Sequence, residues 1–201
     1  SVLATCLDAH RRVGVQPCPQ LRDRIEVFLR GGFQTGTNAD LAIAAFALAQ
    51  LRAPAKLLSL IYIQVEDKPI TIRDSSTLLW SIAVSFDAAG ELEDRIVGSK
   101  TFGMLWERIM SSGDAENANS LDLTMLQQAY LHATYEREPR MNIRRPTEGL
   151  LRAMHMSVGS SGVRTSKKHN TVSQRLESLG WRHDDEIEID SSGLVVDMAS
   201  R

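Results

Sequence analysis

Nine cations crowd one stretch of the chain: Arg140, Arg144, Arg145, Arg152, Arg164, Lys167, Lys168, Arg175 and Arg182, opposed between the first and last of them only by Glu148 and Glu177. Arginine forks and lysine ammonium groups at this density can neutralise several phosphates, and guanidinium suits bidentate phosphate contacts. Taken alone, the cluster is explained equally well as a solvated linker followed by an exposed helix face. These nine are the candidate contacts to a nucleic-acid backbone.

Other constellations give less chemistry. His10, His132, His155, His169 and His183 are scattered, without the helical spacing of a metal-binding pair. His132 reads as a core histidine. Cys6 and Cys18 have no second pair and no base beside them, which points to reduced thiols in an intracellular compartment, with a single disulfide as the lesser alternative, and not to a zinc site or a nucleophile. Gly31-Gly32-Phe33-Gln34-Thr35-Gly36 lacks the Lys-Ser/Thr ending of a phosphate loop. No catalytic residue, metal ligand, cofactor or small-molecule substrate is expected, and the chain is not expected to be an enzyme. Phe46, Trp80 and Trp106 stand inside apolar strings at helical spacing and read as packing residues before base-stacking platforms. Trp181, beside Arg182 and His183, has a polar setting and reads as a cover for the strands that follow.

The elements that must carry these residues are mostly helical. Spacing predicts helices over 2–13, from Pro19 to the stop at Gly31, over about 40–52, over 55–65 and over about 74–88. Asp40 and Asp74, 34 positions apart, each stand six residues before an aromatic, Phe46 or Trp80, followed by a small-aliphatic-Ala triplet. A period of this size is the usual mark of stacked helical hairpins. The pattern then loosens. Residues 91–100 read as a polar insertion, 102–110 as a helix, 111–120 as a loop, and 121–135 as a degraded third copy. Pro139 and Pro146 bracket arginines in what reads as a basic linker over 139–165. Residues 167–179 read as an amphipathic helix, and alternation at 186–190 and 194–198 predicts two strands.

Composition fits a soluble protein with a real core: 201 residues, 43% hydrophobic, formal net charge −2. Such a charge argues against a basic sleeve around nucleic acid, so any such contact is local. The longest apolar run, 41–49, is well short of the roughly 20 residues that cross a bilayer, and no membrane insertion is expected. A targeting peptide could have preceded Ser1, so the lack of one here is uninformative.

The segment His169-Asn170-Thr171-Val172-Ser173-Gln174-Arg175-Leu176-Glu177-Ser178-Leu179-Gly180-Trp181, with Glu186-Ile187-Glu188-Ile189 and Leu194-Val195-Val196-Asp197-Met198-Ala199, resembles the entry to a RAP domain. The strings at 76–83 and 126–131 are similar to the helical arrays of RAP proteins, which include the Fas-activated serine/threonine kinase-like proteins and the organellar RAP proteins of algae and apicomplexans. The resemblance implies an organellar role in RNA metabolism and a tail related to restriction-endonuclease-like folds. In those folds an acidic residue on one strand and an acidic-x-Lys motif on the next can hold a divalent metal. Asp197 matches the first position, with Glu177 and Glu186 as further carboxylates, but the acidic-x-Lys strand does not appear before Arg201, so metal catalysis by this chain is not expected.

The expected architecture is therefore a mostly α chain: stacked helical-hairpin repeats (an α-solenoid) over 1–138, the basic linker over 139–165, and a partial RAP-like α+β unit over 166–201 with one helix and a β-hairpin. The expected function is a structural, RNA-associated component of a large ribonucleoprotein such as the mitochondrial ribosome, with a plastid as second choice. Its partners would be rRNA or an organellar transcript together with protein subunits. The alternative is a protein-binding scaffold or accessory subunit of an organellar complex without RNA contact.

Overall fold

The computed structural model describes residues 1–31, 37–65, 70–85, 92–136, 141–160, 174–181, 183–188 and 195–200. Eight helices account for most of them: α1 Val2–Val13, α2 Pro19–Arg30, α3 Asn38–Gln50, α4 Ala55–Tyr62, α5 Ile72–Ser85, α6 Leu92–Ser112, α7 Ser120–Leu131 and α8 Glu148–Ser160. A 3-10 turn precedes α7 at Ala115–Asn117, and a π-helical turn, His132–Glu136, follows it.

Local chemistry sets the boundaries. Ser1 accepts a hydrogen bond from the Ala4 amide to start α1, and Gly14 in the left-handed region (φ 66°) ends it. Pro19 occupies the first turn of α2, where its missing N–H costs nothing. Thr37 and Asp40 form a reciprocal capping box at the start of α3. Before α5 the Asp74 amide donates to Thr71 Oγ1 (3.1 Å), whose hydroxyl donates to Asp74 Oδ2 (2.8 Å). Before α7 the Asp122 amide donates to Asn119 Oδ1 (3.0 Å). The aspartates flagged by the sequence spacing are thus the third residues of their helices, and the caps lie three positions earlier.

Helices α1, α3, α5 and α7 lie side by side and parallel. The Ser1 amine meets Asp40 at one end of the α1–α3 pair, while Arg11 Nη1 donates to Gln50 Oε1 (3.2 Å) at the other. Trp80 Nε1 donates to Gln128 Oε1 (2.6 Å) from α5 to α7. Helices α2, α4 and α6 form a second layer against this row. Buried positions in α3 (Leu41, Ala42, Ala44, Ala45, Ala47, Leu48, Ala49) recur 34 residues later in α5 as Ser75, Ser76, Leu78, Leu79, Ser81, Ile82 and Ala83. Small residues at five of the α3 positions let both neighbours approach its backbone closely.

The fold class departs from the expected solenoid with an α+β tail: the helices form an all-α packed bundle. Consecutive helices are not the packing unit, because α3 packs more extensively on α1 and α5 than on α4, and α5 more on α7 than on α6. One contiguous core runs from Leu7 through Trp106 to Met154. Residues 91–100 are largely part of α6, not an insertion, since burial of Phe102, Leu105, Trp106 and Ile109 favours one long helix. The stretch read as a basic linker holds α8, whose Leu150 and Met154 are buried against the core.

Among the described residues of the tail no α+β unit joins the bundle. Residues 174–178 make a short helical turn with Gln174, Arg175, Glu177 and Ser178 exposed, and the following Leu179 and Trp181 are exposed too. The strands β1 His183–Glu188 and β2 Val195–Ser200 pair antiparallel, Asp185 opposite Met198 and Ile187 opposite Val196. Their contacts are chiefly with each other, so they add no layer to the bundle. Of the described turn only Leu176 is partly covered, too little apolar surface to seat a helix on two strands.

Candidate interaction surfaces

The basic segment is held by a buried indole. Trp106 of α6 is fully buried, sandwiched between Phe102 (ring centroids 6.0 Å) and Tyr130 (5.7 Å) in near-parallel stacks. Its Nε1 donates to the Arg144 carbonyl (2.7 Å). The Met141 amide donates to the Ala133 carbonyl in the π-helical turn (3.0 Å). These bonds fix the backbone of 141–147 against α6 and α7 while the Arg144 and Arg145 side chains stay in solvent. Burial pushes the Tyr130 hydroxyl above its ordinary pKa, helped by Tyr135, and Arg145 works in the opposite direction.

The start of α8 completes the arrangement. Thr147 Oγ1 accepts from the Leu150 amide (3.1 Å), and the Thr147 hydroxyl donates to Glu116 Oε1 (2.7 Å) in the 3-10 turn. Arg152 lies on the exposed side of α8, away from Leu150, Met154 and Ser157. The Arg145–Glu148 pair is long (3.6 Å) with both side chains mostly in water (75% and 86% exposed), so it leaves the guanidinium available to another anion. Arg144 and Arg145 thus lie on one anchored stretch and Arg152 on the helix it leads into, whereas Arg175 stands on the separate turn at 174–178. Arg140, Arg164, Lys167, Lys168 and Arg182 lie outside the described residues.

A second surface was not anticipated from sequence. Across the parallel row, Asp8, Arg12, Ile43, Phe46, Arg73, Asp74, Leu121, Asp122 and Met125 line a groove of about 470 Å³. Phe46 and Trp80 meet at 5.0 Å, and the Arg11 guanidinium sits 5.3 Å from the Phe46 ring centre. Both rings are half-buried, packed on each other at the surface of the row, while Trp106 is core as expected. Hydrogen bonds from Arg11 and then Arg12 hold the Asp8 carboxyl below its usual pKa range. Asp122 moves the other way: burial raises it, against the pull of Arg73 and the hydrogen bond from Asn119. The signal that could have revealed the groove was the cap spacing itself, because equal registers in α3, α5 and α7 align Ala39, Arg73 and Leu121 along one edge.

Cys6 and Cys18 are exposed, unbonded thiols, and His132 is buried. Among the described residues no three His, Cys, Asp or Glu side chains gather as a metal site. Glu186 lies on β1 and Asp197 on β2. No helix among the described residues is long and apolar enough to cross a membrane. No protein-family model, curated protein or solved structure matches the chain.

Proposed function

We propose that this protein is an RNA-associated helical protein of an organelle, a structural component of a large ribonucleoprotein such as the mitochondrial ribosome. The observation that carries the reading is the indole-anchored backbone at Arg144, which offers Arg144 and Arg145 to solvent just before α8, where Arg152 is exposed too. A backbone fixed before binding leaves only the side chains to be ordered on a phosphate chain, which favours binding. The resemblance of the tail to a RAP domain supplies the organellar setting.

The test is charge reversal at Arg144, Arg145, Lys167 and Lys168 together, with binding to single-stranded RNA measured across a salt series. Affinity should fall, and the dependence of log K on log salt should flatten by about 0.7 for each phosphate that is no longer neutralised. Unchanged binding and slope in the fourfold variant overturn the proposal.

A second reading, a protein scaffold of an organellar complex without RNA contact, is favoured by the formal net charge of −2. Nucleic acid carried through purification, read as the ratio of absorbance at 260 and 280 nm, separates the two.

A further inference from the structure

The groove across α1, α3, α5 and α7 does not suit a polyanion. Its charges are sorted by end. At α1 a single carboxylate, Asp8, is hydrogen-bonded by two guanidiniums, Arg11 (2.8 Å) and Arg12 (2.7 Å). At α5 and α7 the groove wall carries two carboxylates, Asp74 and Asp122, against one guanidinium, Arg73, whose charge acts on Asp122. One end therefore has a surplus of positive charge and the other a surplus of negative charge. Between them, large apolar side chains are left in water: Ile43 is 45% exposed and Leu121 60%, with Met125 between α5 and α7.

Adjacent packed helices stand about 9 Å apart, so the row from α1 to α7 spans about 27 Å, the reach of about eight extended residues. A nucleic acid strand laid along this path would bring phosphates against Asp74 and Asp122. An extended peptide can instead alternate apolar side chains into the floor and place one charge of each sign at its ends. We propose that this groove binds an extended segment of a partner protein, of about eight residues, with apolar side chains over Ile43 and Leu121, a basic residue at Asp74, and an acidic residue at Arg12. The site is independent of the basic segment around Arg144 and stands or falls separately from it.

The full chain is titrated with fluorescent eight-residue peptides that carry Leu at alternate positions and either Glu and Lys, Lys and Lys, or Glu and Glu at the two ends. The Glu/Lys peptide should bind at least about fivefold more tightly than either control, the equivalent of about one exposed charge pair. Ile43→Lys with Leu121→Lys should weaken it at least about tenfold. Thermal melting of that double variant should match the parent, since both side chains are exposed. Arg12→Glu should shift preference to the Lys/Lys peptide. The proposal is overturned by absence of binding, by equal affinity for the three peptides, by binding indifferent to the double variant, or by a single-stranded oligonucleotide displacing the peptide.

Discussion

The indole nitrogen of Trp106 and the carbonyl oxygen of Arg144 lie 2.7 Å apart, a hydrogen bond that joins a residue of zero exposure to a segment whose arginine side chains face water. Trp106→Phe removes this donor and leaves a void between Phe102 and Tyr130. A loss of about 2–4 kcal/mol is expected, combining a truncated buried aromatic with a broken hydrogen bond. Urea denaturation measures it, and amide exchange at Met141 and Ile143 should accelerate more than at Leu48. Equal acceleration at the two places would mean that the bond does not hold the segment.

The caps at Thr37 and Thr71 act on separate helices through the same local geometry. Thr37→Ala and Thr71→Ala should each cost about 1 kcal/mol, and the double substitution about their sum. Asp40→Ala, which breaks the return half of the box and also the ion pair with the Ser1 amine, should cost at least as much as Thr37→Ala. Chemical denaturation of the four variants checks this.

Two carboxylates should respond to acid with opposite sign. Asp8, held below its ordinary pKa chiefly by Arg11, stabilises the fold above the unfolded value of 3.8 and loses that contribution as pH falls through its lower folded value. Asp122, raised by burial, binds its proton more tightly folded than unfolded. Its contribution is fullest below 3.8 and is lost as pH rises through its folded value. Asp8→Asn should therefore lower the melting temperature at pH 7, and Asp122→Asn should raise it. Both differences should shrink in melts repeated toward pH 3.

Helix α3 has no spare volume. Ala44, Ala45 and Ala47 are wholly buried between neighbouring helices. Ala45→Leu should destabilise by about 1–3 kcal/mol through overpacking, whereas Ile43→Leu on the exposed side of the same helix should be nearly neutral. Equilibrium unfolding of the pair makes the comparison within one helix.

Helix α1 and the starts of α2 and α4 were readable because Gly14, Pro19 and Pro54 punctuate the chain with one outcome each. The caps at Thr37, Thr71 and Asn119 were not legible: spacing put the starts of α3 and α5 two positions late, at Asp40 and Asp74, and that of α7 one position late, at Leu121. Helix α8 was hidden by its Gly149, Ser157 and Gly159, residues that propensity assigns to loops; its apolar face, Leu150 and Met154, gains its helix from packing on α7. The parallel row was legible only as the 34-residue spacing that makes α3 and α5 equivalent. Its contacts join helices that are not neighbours in sequence, and no local pattern records which alternate helices will meet. That gap also concealed the groove, whose lining comes from four helices. The basic cluster was visible as composition, but the role of Trp106 in presenting Arg144 was not, because 38 residues separate the donor from its acceptor.

Parallel helices add their peptide dipoles in one sense, so the edge formed by the starts of α1, α3, α5 and α7 would gather partial positive charge from every member. Asp40, Asp74 and Asp122 stand along that edge, one per helix, each in a first turn. Helix α8 runs the other way: Thr124 near the start of α7 meets Ser157 near the end of α8 (3.3 Å), which brings the negative pole of the last helix to the same edge. The caps thus act together as an electrostatic belt. Neutralising Asp40 and Asp74 together should cost more than the two single substitutions combined, and the excess should fade in high salt, where each pole is screened from its neighbours.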